Sequence, residues 1–313
     1  MKGDYTRYAR TLLPSWLSKR LRALRAFSFP MSVLPVLITT AAVRPFADWD
    51  LSVLVASVVG VVFLHAAGNL FNDYFDFRSG VDCELEDDNS RPGRLLVRGE
   101  LTPRDIFIEG LLCLLAVVPI AVFLIWKCGI PVLLTGLAGV AALYAYTGPP
   151  FQLKYKGLGE LLIFIVFGLL PIVGTSYAQV GHLKWQVLLL AIPLGCPITA
   201  VLAGNNIRDR EEDKAAGIHT IAQASNGEIS RLLYLGLVVL SPLALVFFAM
   251  LRLGPFVLIT APAFLLLVWR PLLAIWSGKR LPDIDVLTAR FSTVLMLFVF
   301  VVLVSSGGLY LGQ

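Results

Sequence analysis

The groups in this chain best suited to chemistry form two short acidic clusters. One is Asn72, Asp73 and Asp76 in an NDxxD pattern; the other is Asp209 and Asp213 in a DxxxD pattern. Positions three and four apart share a helix face. Asn69, Asn72, Asp73 and Asp76 would therefore project together, as would Asn206, Asp209 and Asp213, with Asn205 beside them. All of these side chains offer oxygen, and no His or Cys is interleaved, which favours a hard cation such as Mg²⁺ over zinc or copper. Four carboxylates in one place repel unless cations intervene, and Mg²⁺ typically bridges carboxylates to substrate phosphates. A diphosphate held between the clusters through Mg²⁺ satisfies that electrostatics, with Asp73, Asp76, Asp209 and Asp213 as the catalytic carboxylates. Scattered acids such as Glu84, Glu86, Asp87 and Asp88 read as ordinary hydrated residues.

Basic residues lie close by in sequence. Arg78, Arg91, Arg94 and Arg98 follow the first cluster, Lys154 and Lys156 sit between the clusters, and Arg208 adjoins the second. Of these, Arg91, Lys154, Lys156 and Arg208 are the candidates for the oxygens of a diphosphate leaving group, together with Asn69, Asn72, Asn205 and Asn206 as substrate-binding carboxamides. Tyr74, Phe75, Tyr144, Tyr146 and Tyr155 are candidates for stabilising a carbocation, although aromatic residues also populate membrane interfaces in general.

The elements that must carry these residues are membrane helices. The 313 residues are 57% hydrophobic and 15% charged, with a mean hydropathy of +0.79, where soluble domains are about half apolar and a quarter charged. Apolar runs near helix-spanning length predict nine transmembrane helices, at 27–46, 51–71, 106–126, 130–147, 158–178, 186–204, 231–251, 255–276 and 291–311. With the N-terminus inside, 22 of the 26 Lys and Arg fall on the cytoplasmic side, leaving only Arg44, Lys127, Lys184 and Arg252 outside. That distribution predicts a multi-pass protein of the cell membrane with both acidic clusters in the cytoplasmic boundary. The net charge of +5 is thereby explained by topology, and no nucleic-acid partner is expected. Residues 1–26 read as a basic interfacial segment, in which Trp16, Leu17, Leu21 and Leu24 would face lipid, and residues 27–313 as a single transmembrane domain. The clusters follow the second and sixth spans, which suggests two similar four-helix halves plus a final helix. Cys83, Cys113, Cys128 and Cys196 have no metal or disulfide spacing.

The two motifs resemble those of the UbiA superfamily of intramembrane prenyltransferases: GNLFNDYFDFRSGVD is similar to its first Asp-rich motif and NNIRDREEDKAAGIHT to its second. PMSVLPVL, YTGPPFQLKYKGLGELLIFIVFG, GTSYAQVG and the Asn205-Asn206 pair resemble most the 1,4-dihydroxy-2-naphthoate polyprenyltransferase branch, which serves menaquinone synthesis. The resemblance implies an all-α fold of about nine transmembrane helices around a central cavity, and Mg²⁺ as cofactor. It further implies a polyprenyl diphosphate donor and an aromatic acceptor, with no obligate protein partner. By position, Asn72, Asp73, Asp76, Asp209 and Asp213 would be metal ligands. The superfamily pattern NDxxDxxxD puts a third Asp where Gly80 stands; Asp82, two residues on, is the corresponding candidate ligand. Ile218 stands where the naphthoate branch usually has Lys, a pairing with Gly217 closer to the hydroxybenzoate branch. Other acceptors (4-hydroxybenzoate, homogentisate or a glycerol-phosphate lipid) therefore stay open. So does a different class, a cation-coupled transporter, because membrane-embedded carboxylates also serve ion coupling.

Overall fold

The computed structural model describes residues 14–81, 94–253, 260–279, 281 and 283–309, and among these it is helical throughout, without strands. A short helix α1 (Ser15–Ala23) precedes a 3₁₀ turn (Ala26–Ser28) and α2 (Pro30–Val43). Then come α3 (Leu51–Arg78), α4 (Pro103–Cys128), α5 (Ile130–Thr147), α6 (Gly159–Val180), α7 (Trp185–Arg208), α8 (Glu228–Leu253) and α9 (Ile284–Ser306). Seven stretches among the described residues are long and apolar enough to cross a membrane: Ala26–Val43, which contains α2, and α3, α4, α5, α6, α7 and α9. The chain is an integral, multi-pass membrane protein. Of the nine expected spans, the seventh coincides with α8. The eighth is represented by two short helices, Thr260–Leu267 and Trp269–Trp276, with 254–259 outside the described residues.

Local chemistry sets the helix limits. The Asp50 carboxylate caps α3 by accepting from the Ser52 and Val53 amides, satisfying donors a helix start leaves unpaired. Thr102 and Asp105 form a reciprocal capping box at the start of α4. α3 runs to Arg78, two turns past the predicted limit at 71, so the first acidic cluster lies within the helix itself.

Neighbouring helices close a ring. α3 packs on α4, α4 on α5, α5 on α6, α6 on α7, α7 on α8 and α9, and α9 on α2, which returns to α3. α6 also packs against α2 and α3. The main core joins α2, α6, α7, α8 and α9 through Ile38, Ile172, Leu194, Tyr234, Phe291 and Leu295, all fully buried. A smaller core, with Leu70, Leu95, Leu96 and Ile106, ties α1 to α3 and α4. Only 6% of the apolar window of α4, and of α5, is buried inside the protein; with no water in hydrocarbon, such apolar flanks belong against lipid tails.

α6 and α7 approach unusually closely. A Cβ on Gly168 would lie 2.7 Å from Gly195 Cα, and one on Gly195 would lie 2.8 Å from the Phe164 ring. Small residues permit this contact between membrane helices, and the α6 side of it is a π-helical segment, Phe164–Leu169.

α1 differs in part from its predicted setting. Trp16 and Leu21 are exposed, but Leu24 packs on the smaller core. Lys19 and Arg22 meet Glu100, and Arg20 pairs with Glu109. Residues 1–13 lie outside the described residues.

Candidate active site

The last turns of α3 bury three polar side chains: Asn72, Asp73 and Asp76 are 8%, 3% and 4% exposed. Charge so enclosed needs partners, and each carboxylate has one. Asp73 pairs with Arg25 from the turn before α2. Asp76 accepts from Lys154 Nζ at 2.6 Å, from the Tyr155 hydroxyl and from Asn72 Nδ2 at 3.0 Å. Asn69 instead donates to the Leu24 carbonyl at 2.9 Å, clamping the chain just ahead of Arg25. Arg25 itself sits at φ +51°, the left-handed region that non-glycine residues enter at a cost of about 1–3 kcal/mol.

Lys154 and Tyr155 belong to a 3₁₀ turn, Leu153–Lys156, which leads directly into α6. Burial disfavours the Lys154 ammonium, but the Asp76 charge, with Tyr146 and Tyr155, outweighs it and holds the pKa above the usual lysine value. Burial, reinforced by Asp76, likewise pushes the Tyr155 phenol up, so Tyr155 is a donor and not a phenolate. Lys154 also lies 6.0 Å from the Tyr146 ring centroid.

The same stretch reaches the second motif. Glu160, 3% exposed at the start of α6, accepts from Asn206 Nδ2 at 2.9 Å. The Tyr155 carbonyl accepts from the His219 amide at 3.2 Å. One connector, 153–160, thus bonds to both motif regions and places them at one end of the bundle.

The second motif is not one continuous helix face. α7 ends at Arg208, and a short helix, Arg210–Ala215, follows; the Asp213 amide donating to the Asp209 carbonyl at 2.9 Å spans the break. Arg208 grips the Asp209 carboxylate with two bonds, 2.7 and 2.9 Å, and reaches Asp285 on α9 at 2.8 Å. Lys156 is exposed, with Nζ 3.2 Å from the Pro150 carbonyl. Asp82 and Arg91 lie outside the described residues, as do Glu84, Glu86, Asp87 and Asp88; Gly80 terminates α3 at φ +74°.

A cation fits this donor set. The Asn72 and Asn205 Oδ1 atoms are buried without a hydrogen-bond partner, and an orphaned acceptor beside carboxylates is a preformed oxygen ligand for a hard cation. Among the described residues no three His, Cys, Asp or Glu side chains converge on one point, so carboxamide and substrate oxygens would complete the coordination.

Reading the sequence missed Arg25, Glu160 and Asp285 as members of the site, and placed Tyr155 only among the aromatic candidates. Glu160 offered a signal, an acid opening an apolar helix; nothing in the sequence around Arg25 marks it as the partner of Asp73.

Fold and site together define a multi-pass helical membrane protein with two carboxylate and carboxamide helix ends, joined by a basic and aromatic connector. The chain belongs to the UbiA prenyltransferase family, whose model matches residues 32–294. It is 37% identical over 214 residues to UbiA prenyltransferase domain-containing protein 1 of Xenopus tropicalis, covering 68% of this chain and 61% of that protein. With the Homo sapiens protein of the same name it shares 35% over 229 residues, covering 70% and 65%. The match thus spans less than two thirds of either relative. Among solved structures, a UbiA homolog from Archaeoglobus fulgidus bound to GPP and Mg²⁺ superposes with a TM-score of 0.63 at 18% identity, over 92% of this chain and 99% of that one. A digeranylgeranylglyceryl phosphate synthase superposes at 0.60 with 19% identity, over 93% and 98%. These likenesses establish a shared fold.

Proposed function

We propose that this protein transfers a polyprenyl group from an allylic diphosphate to an aromatic acceptor, 1,4-dihydroxy-2-naphthoate, with loss of CO₂, in menaquinone biosynthesis. The observation that carries the transferase reading is the single connector 153–160, which pairs the partly buried Lys154 with Asp76 of the first motif and Glu160 with Asn206 of the second. The structural neighbour bound to GPP and Mg²⁺ supports it, as does the family. The acceptor rests on the naphthoate-type segments around 30–37 and 146–168.

Mg²⁺, when bound, would offset the diphosphate charge and draw electron density from the scissile C–O bond; Asn72, Asp73, Asp76, Asp209, Asp213 and Asp82 are the residues to hold it. Lys154 and Arg25, now on Asp76 and Asp73, are within their own side-chain reach of an anion seated between the carboxylates and can transfer their donors to its oxygens. Asn205 and Asn206 add carboxamide contacts, and Arg208 anchors Asp209. Tyr146 and Tyr155 present aromatic groups around Lys154, suited to a neighbouring cation.

The test is direct. Membranes are supplied with a labelled prenyl diphosphate and a panel of acceptors, with Mg²⁺ or with EDTA, and the product is identified by mass. A prenylated, decarboxylated naphthoate formed only with Mg²⁺ is expected, and Asp76→Asn or Asp209→Asn should lower kcat about 10²–10³-fold. Full Mg²⁺-dependent activity in those variants would sink the site assignment. Product from another acceptor replaces the naphthoate. Cation-driven uptake into vesicles without prenyl transfer replaces the enzyme by a carrier.

A further inference from the structure

The mechanism above leaves one polar cluster unused. His65 lies on α3 four residues before Asn69 and eight before Asp73, on the same face, about 12 Å farther along the helix from the Asp73 level. Both ring nitrogens are engaged, Nε2 with Ser28 Oγ at 3.2 Å and Nδ1 with Ser32 Oγ at 3.0 Å. Each serine also bonds a carbonyl one turn back, Ser28 to Arg25 at 2.8 Å and Ser32 to Phe29 at 3.0 Å. A hydroxyl carries one hydrogen. If both serines donate to the carbonyls, the imidazole must donate from both nitrogens and is protonated. If one serine turns its hydrogen to the ring, the imidazole is neutral. The cluster therefore has two hydrogen-bonded arrangements that differ by one proton.

Two aromatic rings flank the imidazole. Phe29 and Phe167 meet the imidazole edge-on, with centroids 5.5 and 4.9 Å away, and Phe167 lies in the π-helical segment of α6, a form frequent at functional sites. Ser32 is 4% exposed while Ser28 is half-buried, so the accessible hydroxyl is that of Ser28.

We propose that His65, acting through Ser28, takes up the hydroxyl proton of the aromatic acceptor during prenyl transfer; the inference rests on the transferase reading. As the acceptor's ring carbon bonds to prenyl C1, the C1–O bond breaks and its electron pair leaves on the diphosphate. A lone pair of the acceptor oxygen forms C=O, and the O–H electrons stay on oxygen as the proton passes to Ser28 Oγ. The Ser28 hydrogen moves to Nε2 in the same step. When the alkylated carbon loses CO₂, the C–C electron pair restores the ring, the C=O electrons return to oxygen, and the oxygen takes its proton back along the same path.

The experiment measures kcat and KM for the full-length protein in membranes, with hydroxylated aromatic acceptors of graded O–H acidity. For His65→Gln, kcat should fall about 10²-fold while KM for the prenyl diphosphate stays within twofold, and the rate should become steeply dependent on acceptor acidity. Ser28→Ala, which keeps the imidazole and its packing, should show the same dependence if His65→Gln does not fold. An unchanged kcat in both variants overturns the inference. So does an equal loss for every acceptor accompanied by a raised prenyl-diphosphate KM, because that is a structural role. Wild-type protein that prenylates no aromatic acceptor overturns the parent reading instead, and this one with it.

Discussion

At the scale of single residues, the site is a set of buried and partly buried charges already paired with one another. Asp76 has Lys154, Tyr155 and Asn72; Asp73 has Arg25; Asp209 has Arg208. An anionic substrate with its cations can trade places with these partners without leaving a buried charge alone, which is the expensive state. Lys154 is the residue on which this exchange turns. A hydrogen bond to a charged group contributes about 1.5–3 kcal/mol. Lys154→Met should therefore lower kcat/KM for the prenyl diphosphate about 10–10²-fold. Lys156→Met, whose ammonium already faces a carbonyl at the surface, should have a smaller effect. Steady-state kinetics on the two variants side by side would decide it; equal losses would show that the 153–156 turn, and not Lys154 itself, sets affinity. Both lysines stand out in the sequence, being basic residues beside an apolar helix. The difference between them does not, since it depends on which one the turn aims inward.

At the scale of elements, the connector 153–160 and the close contact of α6 with α7 hold the two motifs in register. Glu160 reaches Asn206 because Gly168 and Gly195 let the helices touch. Gly168→Val would drive a branched side chain into Gly195 and the backbone of α7; overpacking of this kind costs about 1–3 kcal/mol. We expect a lowered melting temperature in detergent and a loss of transfer activity greater than for Glu160→Gln. A Gly168→Val protein with unchanged melting would mean that the contact is not a constraint. Periodicity located both helices, including the α6 span at 158–178 against the observed Gly159–Val180. It could not show the π-helical segment or the break after Arg208, because both depend on what lies against the helix.

At the scale of the whole molecule, the ring of helices puts both Asp motifs at the end reached by the C-termini of α3 and α7. We propose, from the positive-inside distribution, that this end faces the cytoplasm. In a cysteine-free background, Lys214→Cys should react with a membrane-impermeant maleimide only in inside-out vesicles, and His182→Cys only from the opposite face. The reverse pattern would place the diphosphate site outside and invert the topology. Both positions are exposed and lie beyond opposite ends of α7.

Membrane class, the positions of most spans and the two oxygen-rich motifs were legible in the sequence alone, because hydropathy and helical spacing are local properties of a chain in lipid, where each helix satisfies its own backbone. Which cations hold which carboxylates was decided only by the tertiary structure. Arg25 and Asp73 are 48 residues apart, Lys154 and Asp76 are 78 apart, and Glu160 and Asn206 are 46 apart. Such pairs form because burial makes an unpartnered charge or carboxamide costly, and burial exists only once the helices have packed.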